Sequence, residues 1–303
     1  MSWEAQQRPR VQIPPGPLHS TPLRGFPNFK SKARTEARWM SPSSETRERF
    51  DRIADIYDET REPLTDRALD GAASILAGDG VGQILEVGIG TGRIGRPLQE
   101  RGFQMTGVDL SRGMLSKARR KGLDNLIMGD ANRLPFANRA FDAVVLAHVL
   151  HLLQNPRETF VGLSSVARVE IVAFVRRRDL SSDGPSTTDD QRGALRQTFR
   201  KFAEEMGYQL PALQSPWRDR FKIEYEFLSS SPPDELITLE DVTEVTTLGE
   251  RISYFERHAY GYPSPLPEEA FRIVMERVKS SIDPNKEVRS RRVEQMAVWR
   301  LSR

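Results

Sequence analysis

The sequence predicts an α/β fold, a doubly wound and mostly parallel sheet with helices on both faces. Between residues 83 and 175, short apolar segments alternate with helical ones. The apolar segments are continuous rather than alternating, which is typical of strands that helices cover on both sides. The first segment ends in a glycine-rich turn and the second in an acidic residue. In such sheets this arrangement marks the edge where ligands bind.

Each element follows from a local pattern. Strands are predicted over 83–87, 104–108, 125–128, 141–147 and 169–175, and helices over 93–101, 111–121 and 156–165. Upstream, Phe50, Ile53, Ala54 and Tyr57 form an apolar stripe at helical spacing. Ser43 or Ser44 could cap this first helix, and a second helix is predicted over 65–76.

The pattern changes after residue 180, where the alternation of strand and helix loosens. We predict a loop over 181–190, helices over 191–206 and 267–282, and strands over 221–228, 235–239 and 293–301. This region is long for simple completion of a sheet, so part of it is expected to cap a site.

Composition excludes several classes of protein. The chain of 303 residues has no cysteine, which excludes disulfide scaffolds, thiolate metal sites and a cysteine nucleophile. Four histidines make a multi-histidine metal cluster improbable, and no metal is expected. No apolar run approaches the ~18–20 residues of a membrane span. Without a secretory signal pattern, a cytoplasmic protein is expected.

The most informative stretch is the glycine-rich turn of residues 84–92, Ile-Leu-Glu-Val-Gly-Ile-Gly-Thr-Gly. Glycines allow a tight turn and close approach of a ligand to the backbone. Asp109 follows the second strand, where a carboxylate can accept both hydroxyls of a ribose.

A nicotinamide-dependent oxidoreductase is one alternative, because Gly90, Gly92 and Gly95 also match G-x-G-x-x-G. The position of Glu86 argues against it. A pyrophosphate at this loop would meet a negative charge, whereas a cationic ligand would suit the carboxylate.

Four motifs in order resemble those of class I S-adenosylmethionine (SAM)-dependent methyltransferases, in particular the methyltransferase type 11 group. They are Glu-Val-Gly-Ile-Gly-Thr-Gly at 86–92, Gly-Val-Asp-Leu-Ser at 107–111, Gly-Asp-Ala at 129–131 and Phe-Asp-Ala-Val at 141–144. Residues 50–58 are similar to the N-terminal helix of the small-molecule branch. The resemblance covers roughly residues 48–176. It implies a seven-stranded Rossmann-like sheet and an enzyme that uses SAM as its methyl donor.

The resemblance also implies a division of the chain. Residues 1–45, rich in proline and without apolar periodicity, are expected to form a disordered tail. They are poor in acids up to Glu36, which would suit an organelle transit peptide, but their prolines disfavour the helix such peptides need. Residues 46–180 would be the SAM-binding core, and residues 181–303 would complete the sheet and cap the acceptor.

By the same resemblance, ten residues are candidates for binding SAM: Tyr57, Glu86, Gly88, Gly90, Gly92, Asp109, Leu110, Asp130, Ala131 and His148. Asp109 would accept the ribose hydroxyls, Asp130 the adenine amino group, and Tyr57 would close over the methionine end. Structural alternatives stay open: Glu86 could cap backbone amides, Asp130 could cap a turn before Asn132, and Tyr57 and Leu110 could simply pack.

A general base is needed only if the acceptor carries a proton of high pKa. His151 is the candidate, as base or acceptor-orienting group, although a buried structural histidine is the favoured alternative. His148 and His151 would share a face if this segment is helical. The aromatic stretch 254–262, which contains His258, could line an acceptor pocket or belong to the core.

A small organic molecule is the favoured acceptor of an O-, N- or C-methylation. RNA or protein acceptors are the alternative, suggested by basic runs at 117–121, 176–178 and 289–292. The net charge is only +3 and no RNA-binding module is recognisable, so neither nucleic acid nor a membrane is expected as a partner. A non-catalytic SAM-binding protein is a further alternative. The oligomeric state is not predicted.

Overall fold

The computed structural model describes residues 44–61, 63–153, 155–178, 187–210, 223–224, 226–259 and 266–302. Nearly all of the predicted tail at 1–45 lies outside these ranges. The helices are α1 (Ser44–Ile53), α2 (Asp66–Gly78), α3 (Gly95–Glu100), α4 (Arg112–Arg120), α5 (Pro156–Val166), α6 (Thr187–Glu205), α7 (described at 223–224 and 226–230), α8 (Leu248–Ala259) and α9 (Glu268–Ser280). Short 3-10 helices occupy Asp58–Thr60 and Leu150–Leu152.

Seven strands of the described chain form a single sheet in the order β3-β2-β1-β4-β5-β7-β6. They are β1 (Gln83–Val87), β2 (Gln104–Asp109), β3 (Leu126–Met128), β4 (Phe141–Ala147), β5 (Ala167–Arg178), β6 (Glu235–Thr247) and β7 (Glu287–Arg300). The first five strands are parallel, whereas β7 runs antiparallel to both β5 and β6. The predicted α/β class and its mostly parallel, Rossmann-like sheet are confirmed.

Local sequence explains where the helices of the parallel half begin. The Thr65 side chain accepts a hydrogen bond from the Ala68 N–H and caps α2, and the Ser111 side chain does the same for α4 through the Met114 N–H. Capping side chains satisfy backbone donors that a helix leaves without partners at its first turn. The cap at Ser111 therefore lets α4 begin soon after β2 ends at Asp109.

The core has a separate layer on each face of the sheet. Leu76, Ile84 and Leu98 belong to one layer, and Leu85, Leu146 and Leu163 to the other. Neighbouring positions Ile84 and Leu85 point to opposite faces, as successive strand residues must. A third cluster joins α6, α8 and α9 to β7 through residues such as Phe199 and Val274.

Four predictions about individual elements are wrong. Residues 187–190, predicted as a loop, belong to α6. The predicted strand at 221–228 is helical in its described part. Helix α8 was not predicted. Tyr57 falls outside α1, which ends at Ile53.

The error at 221–228 has a physical cause. Phe221, Ile223, Tyr225 and Phe227 alternate with polar residues, which is the pattern of a half-buried strand. In the structure Phe227 instead packs on Trp299 of β7, with ring centroids 5.9 Å apart. Tertiary packing of this helix has overridden the local pattern.

None of the described helices is both long and apolar enough to cross a membrane. Within the described ranges, no three histidine or acidic side chains come together in a way that could hold a metal ion.

Candidate functional site

A pocket opens at the carboxyl ends of β1, β2, β3 and β4, with α1 over it. It encloses about 840 Å³, part of which is open to solvent. Its lining residues are Arg47, Phe50, Tyr57, Val87, Gly88, Val108, Asp109, Leu110, Ser111, Met114, Gly129, Asp130, Ala131, Asn132, Ala147, His148, Val149, Leu152 and Leu153. Because β1 lies between β2 and β4, connections leave it in both directions, and the pocket lies at this switch point of the sheet.

The glycine turn after β1 forms the floor of the pocket. Gly88, Gly90 and Gly92 have φ angles of 71°, 56° and 77°, a region that other residues rarely adopt. A Cβ on Gly88 would also lie 2.6 Å from Cγ2 of Val149. Gly88 lines the pocket, whereas Gly90 and Gly92 are not among the lining residues. The turn thus needs glycine for its conformation, and at Gly88 for space.

Asp109, at the end of β2, joins the glycine turn to the start of α4. One carboxylate oxygen accepts the Gly90 N–H at 2.8 Å and the other accepts the Ser111 N–H at 2.8 Å. Burial raises the pKa of Asp109, and the two N–H donors oppose that effect. Each carboxylate oxygen has two lone pairs, so capacity remains for hydroxyl groups of a ligand.

Glu86 lies beneath the turn and not in the pocket lining. The residue is only 1% exposed, and a Cβ on Gly95 would lie 2.5 Å from its Oε2. Burial and the nearby charge of Asp109 raise the pKa of Glu86 well above its usual range, against a hydrogen bond from the Gly95 N–H. This contact matches the alternative of a structural carboxylate that caps backbone amides.

Asp130 lies beyond the end of β3, on the same side of the pocket as Ala131 and Leu110. Its Oδ1 accepts hydrogen bonds from the Asn132 backbone N–H at 2.9 Å and side-chain amide at 2.8 Å. The anticipated turn cap is therefore present, in a residue that also lines the pocket. The two roles are compatible because Oδ2 remains available.

Helix α1 and the turn after it are attached to α4 by acidic side chains. Asp51 accepts hydrogen bonds from the Ser111 hydroxyl at 2.6 Å and the Gly113 N–H at 2.8 Å. Asp55 pairs with Lys117 at 2.6 Å. These contacts place Phe50 and Arg47 of α1 in the lining.

Sequence reasoning predicted neither these acidic contacts nor the position of Arg47 and Phe50 in the pocket lining; it named Phe50 only as part of an apolar stripe. A signal was present, because acids at 51, 55 and 58 recur at helical spacing and α4 is rich in basic residues. Tyr57, which was predicted, lies in the turn after α1. It lines the pocket and packs edge-on against Phe50, with ring centroids 6.3 Å apart.

The two candidate histidines are separated by the structure. His148 follows β4, lines the pocket and has a left-handed φ angle of 54°. It therefore lies outside the 3-10 helix Leu150–Leu152, which contains His151. The prediction that both share a helix face is wrong. His151 is not among the lining residues, and its Nδ1 lies 3.2 Å from Oε1 of Glu224 on α7.

Of the aromatic stretch at 254–262, the backbone of residues 254–259 belongs to α8, and the His258 side chain lies outside the described residues. Sequence reasoning also missed the apolar wall formed by Met114, Val149, Leu152 and Leu153. Its members come from two segments, α4 and residues 149–153, and only folding brings them together.

The pocket can hold a nucleoside. Two carboxylates at the ends of adjacent strands, Asp109 and Asp130, supply acceptors for hydroxyl and amino groups. Leu110 and Ala131 supply an apolar surface beside them. These residues fit the ribose and adenine of SAM.

Comparison with known proteins agrees with this arrangement. A family model described as a methyltransferase domain matches residues 85–170. The match confirms, for residues 85–170, the resemblance to SAM-dependent methyltransferases that the four motifs predicted.

The curated relatives are similar to this chain over only part of their own length. A demethylmenaquinone methyltransferase of Renibacterium salmoninarum is 31% identical over 127 residues, or 39% of this chain and 52% of the relative. A ubiquinone/menaquinone biosynthesis C-methyltransferase of Desulfotalea psychrophila is 37% identical over 131 residues, or 40% of this chain and 51% of the relative. The chain thus spans about half the length of the curated relatives that it matches.

Solved structures are more distant. The YcgJ protein of Bacillus subtilis is 13% identical, with a TM-score of 0.43 over 78% of this chain and 100% of that one. The CcbJ methyltransferase of Streptomyces caelestis is 24% identical, with a TM-score of 0.34 over 44% of this chain and 65% of that one.

Proposed function

We propose that this chain, in which residues 85–170 form a methyltransferase domain, transfers a methyl group from SAM to a small organic acceptor. The observation that carries the proposal is the pairing of Asp109 and Asp130 at the ends of adjacent strands, facing one apolar-walled pocket. Carboxylates in this position suit the hydroxyl and amino groups of a nucleoside.

Asp109 and Asp130 would bind different parts of SAM. Asp109, fixed by the N–H groups of Gly90 and Ser111, accepts the ribose hydroxyls. Asp130, fixed by Asn132, accepts the adenine amino group. Because backbone and side-chain donors hold both carboxylates in place, little ordering entropy is lost when the ligand binds.

SAM supplies a methyl group that its positive sulfur has already activated. The protein therefore needs mainly to orient the acceptor and exclude water, and good orientation can lower the barrier by several kcal/mol. Phe50 of α1, Tyr57 of the turn after α1, and Leu152 and Leu153 all line the pocket. These side chains would shield the reacting atoms from solvent.

The apolar wall favours a small acceptor with apolar surface over RNA. Several residues of the basic runs that suggested RNA pair with acidic side chains within the fold. Lys117 pairs with Asp55, and Lys121 with Asp58. Arg291 pairs with Asp241 in the same way. The relatives are named for demethylmenaquinone, so this aromatic molecule is the first acceptor to test.

A methyl-transfer assay tests the proposal. The full chain is incubated with SAM labelled in its methyl group and a panel of acceptors that includes demethylmenaquinone, a short RNA and a protein extract. Label in a small organic product supports the proposal. Label found only in RNA or only in protein would contradict a small organic acceptor and would identify a macromolecule as the acceptor instead.

Binding measurements address the remaining alternatives. S-adenosylhomocysteine, NADH and NADPH are titrated calorimetrically into the same protein. Binding of a nicotinamide cofactor without S-adenosylhomocysteine would overturn the methyltransferase assignment. Binding of S-adenosylhomocysteine without transfer to any acceptor would favour a non-catalytic SAM-binding protein.

A further inference from the structure

Three hydrogen-bonded side chains connect the pocket to helix α5. Asn132 lines the pocket beside Asp130 and donates its side-chain amide to Asp130 Oδ1 at 2.8 Å. The Thr159 hydroxyl on α5 in turn donates to Asn132 Oδ1 at 2.5 Å. Thr159 is only 2% exposed and is not among the lining residues. A buried side chain outside the lining therefore contacts the residue that holds Asp130.

The carboxylate determines the direction of these hydrogen bonds. An ionised carboxylate only accepts, so the Asn132 side chain must turn its NH₂ group towards Asp130. The carbonyl oxygen of Asn132 then faces Thr159, and the Thr159 hydroxyl must donate. With the amide reversed, two oxygens would meet without a proton between them. Asp130 and Thr159 thus hold the Asn132 amide from both ends.

Asn132 depends on its second contact because the residue is exposed. An exposed asparagine can exchange its hydrogen bonds for bonds to water, and holding it in one rotamer costs conformational entropy. Thr159 lies on a fixed element, since its neighbour Phe160 packs on Trp299 of β7 with ring centroids 5.0 Å apart. Through Asn132, Asp130 is therefore attached to a helix that packs on the sheet.

We propose that Thr159 is a positioning residue for the carboxylate that binds adenine, and that it acts on Asp130 through Asn132. This inference rests on the proposed function, in which Asp130 accepts the adenine amino group. The backbone N–H and the side-chain amide of Asn132 both bind Oδ1, which leaves Oδ2 for that amino group. A carboxylate held in this way loses less freedom when the ligand binds, so the affinity is higher.

A purely structural role explains the Thr159 hydroxyl less well. The turn at Asp130 is already closed by a backbone hydrogen bond from the Arg133 N–H to the Asp130 carbonyl at 2.9 Å. Helix α5 packs on the sheet through apolar residues such as Phe160 and Leu163. Burying a hydroxyl costs free energy unless it is hydrogen-bonded, so valine would serve packing at position 159 better.

The first test compares two ligands by calorimetry on the full chain. They are S-adenosylhomocysteine and S-inosylhomocysteine, in which an oxo group replaces the adenine amino group. Thr159→Val removes the hydroxyl and keeps the shape. We expect the affinity for S-adenosylhomocysteine to fall about 3- to 10-fold, the range for one lost hydrogen bond. The affinity for S-inosylhomocysteine should change less than about twofold, because this ligand offers Asp130 no amino group. Equal losses for both ligands would overturn the proposal.

Ser164→Ala is the matched control for the loss of a buried hydroxyl. Ser164 lies on the same helix, is 5% exposed and donates to the Val161 carbonyl at 2.7 Å. Its substitution should change neither affinity. Thr159→Ser keeps the hydroxyl, so its affinity for S-adenosylhomocysteine should lie within about twofold of the wild type. A serine variant that binds no better than Thr159→Val would contradict the role of the hydroxyl.

A double-mutant cycle tests whether Thr159 acts through Asp130. Asp130→Ala should lower the affinity for S-adenosylhomocysteine about 10- to 100-fold. Adding Thr159→Val to it should lower the affinity less than about twofold further, because the carboxylate to be positioned is gone. Fully additive losses would overturn the proposal. If Thr159→Val does not fold, Asn132→Ala at its exposed position takes its place and should show the same selective loss.

The outcomes separate this inference from the proposed function. Wild-type protein that binds S-adenosylhomocysteine while Thr159→Val binds it equally well would overturn the positioning role alone. Wild-type protein that does not bind S-adenosylhomocysteine would overturn both.

Discussion

The parallel and antiparallel halves of the sheet use their carboxylates differently. In the parallel half, Asp109 and Asp130 bind backbone N–H groups at the ends of strands and face a pocket. In the antiparallel half, Glu240 and Glu294 pair with arginines across neighbouring strands. The first arrangement leaves acceptor capacity for a ligand, whereas the second satisfies the charges within the fold.

The difference shows why a list of buried charged residues does not by itself locate a site. Arg292, whose side chain is 10% exposed, reaches Glu240 at 3.2 Å and Glu294 at 3.6 Å. Arg176 of β5 also contacts Glu294. This network joins β5, β6 and β7, so its function is to hold the antiparallel half together.

The largest effect on stability is expected from breaking that network. Arg292→Ala leaves two buried carboxylates close together, and removing one partner of such a pair costs about 3–5 kcal/mol of unfolding free energy. Chemical denaturation measures this loss, and the affinity for S-adenosylhomocysteine should stay the same. Arg291→Ala is the control, because Arg291 and Asp241 are 48% and 41% exposed and such pairs contribute about 1 kcal/mol or less. Equal losses of unfolding free energy in Arg292→Ala and Arg291→Ala would contradict the distinction between the buried network and the exposed ion pair.

A substitution in the glycine turn should lower both the free energy of unfolding and the affinity for the cofactor. Gly88→Ala places a Cβ 2.6 Å from Val149 in a backbone with a φ angle of 71°, so we expect about 2–3 kcal/mol of destabilisation and weaker cofactor binding. Gly78→Ala is the control. A Cβ there meets nothing within 4 Å at the end of α2, and the free energy of unfolding should change by less than about 1 kcal/mol. Gly88→Ala with normal stability and binding would contradict the described turn.

A pH effect is expected where the two halves meet. Glu170 of β5 pairs in register with Arg300 of β7, and burial together with the charge of Asp79 raises its pKa to about 8. The folded state therefore holds a proton that the unfolded chain releases above its ordinary pKa, so stability falls as pH rises towards 8. Glu170→Gln should remove about 1–2 kcal/mol of this decline between pH 6 and pH 8. Parallel curves of stability against pH in variant and wild type would refute the shifted pKa.

The smallest effect is expected from the N-terminal segment. A chain without residues 1–40 keeps α1 and every residue that lines the pocket. Its affinity for S-adenosylhomocysteine should stay within about twofold of the full chain. Loss of binding would make that segment part of the site.

The two halves also differ in how well the sequence predicts them. Within 83–178, apolar strands and helix caps such as Ser111 determine the structure locally, so strand positions were predicted to within a few residues. In the antiparallel half, the described part of 221–228 is a helix because Phe227 packs on a strand that lies about 70 residues further along the chain. Local patterns cannot report such a contact.

The candidate site shows the same limit. Asp109, Asp130 and His148 were predicted and line the pocket, because a motif fixes each relative to the end of a strand. Thr159 was not predicted, because it reaches Asn132 only through the fold. The functional assignments of all these residues stay predictions until binding is measured.

The most direct measurement is calorimetric titration of S-adenosylhomocysteine into wild type, Asp109→Ala and Asp142→Ala. Asp142 accepts the N–H groups of Gly82 and Gln83 at 3.0 and 2.8 Å and also pairs with Arg168. Like Asp109 it is held by two backbone donors, but it lies at the opposite end of the parallel strands. We expect micromolar binding in the wild type, and a loss of about 100-fold or more in Asp109→Ala from two charge-assisted hydrogen bonds. Asp142→Ala should bind normally. Unchanged affinity in Asp109→Ala, or an equal loss in both variants, would contradict a SAM site at the carboxyl ends of the parallel strands.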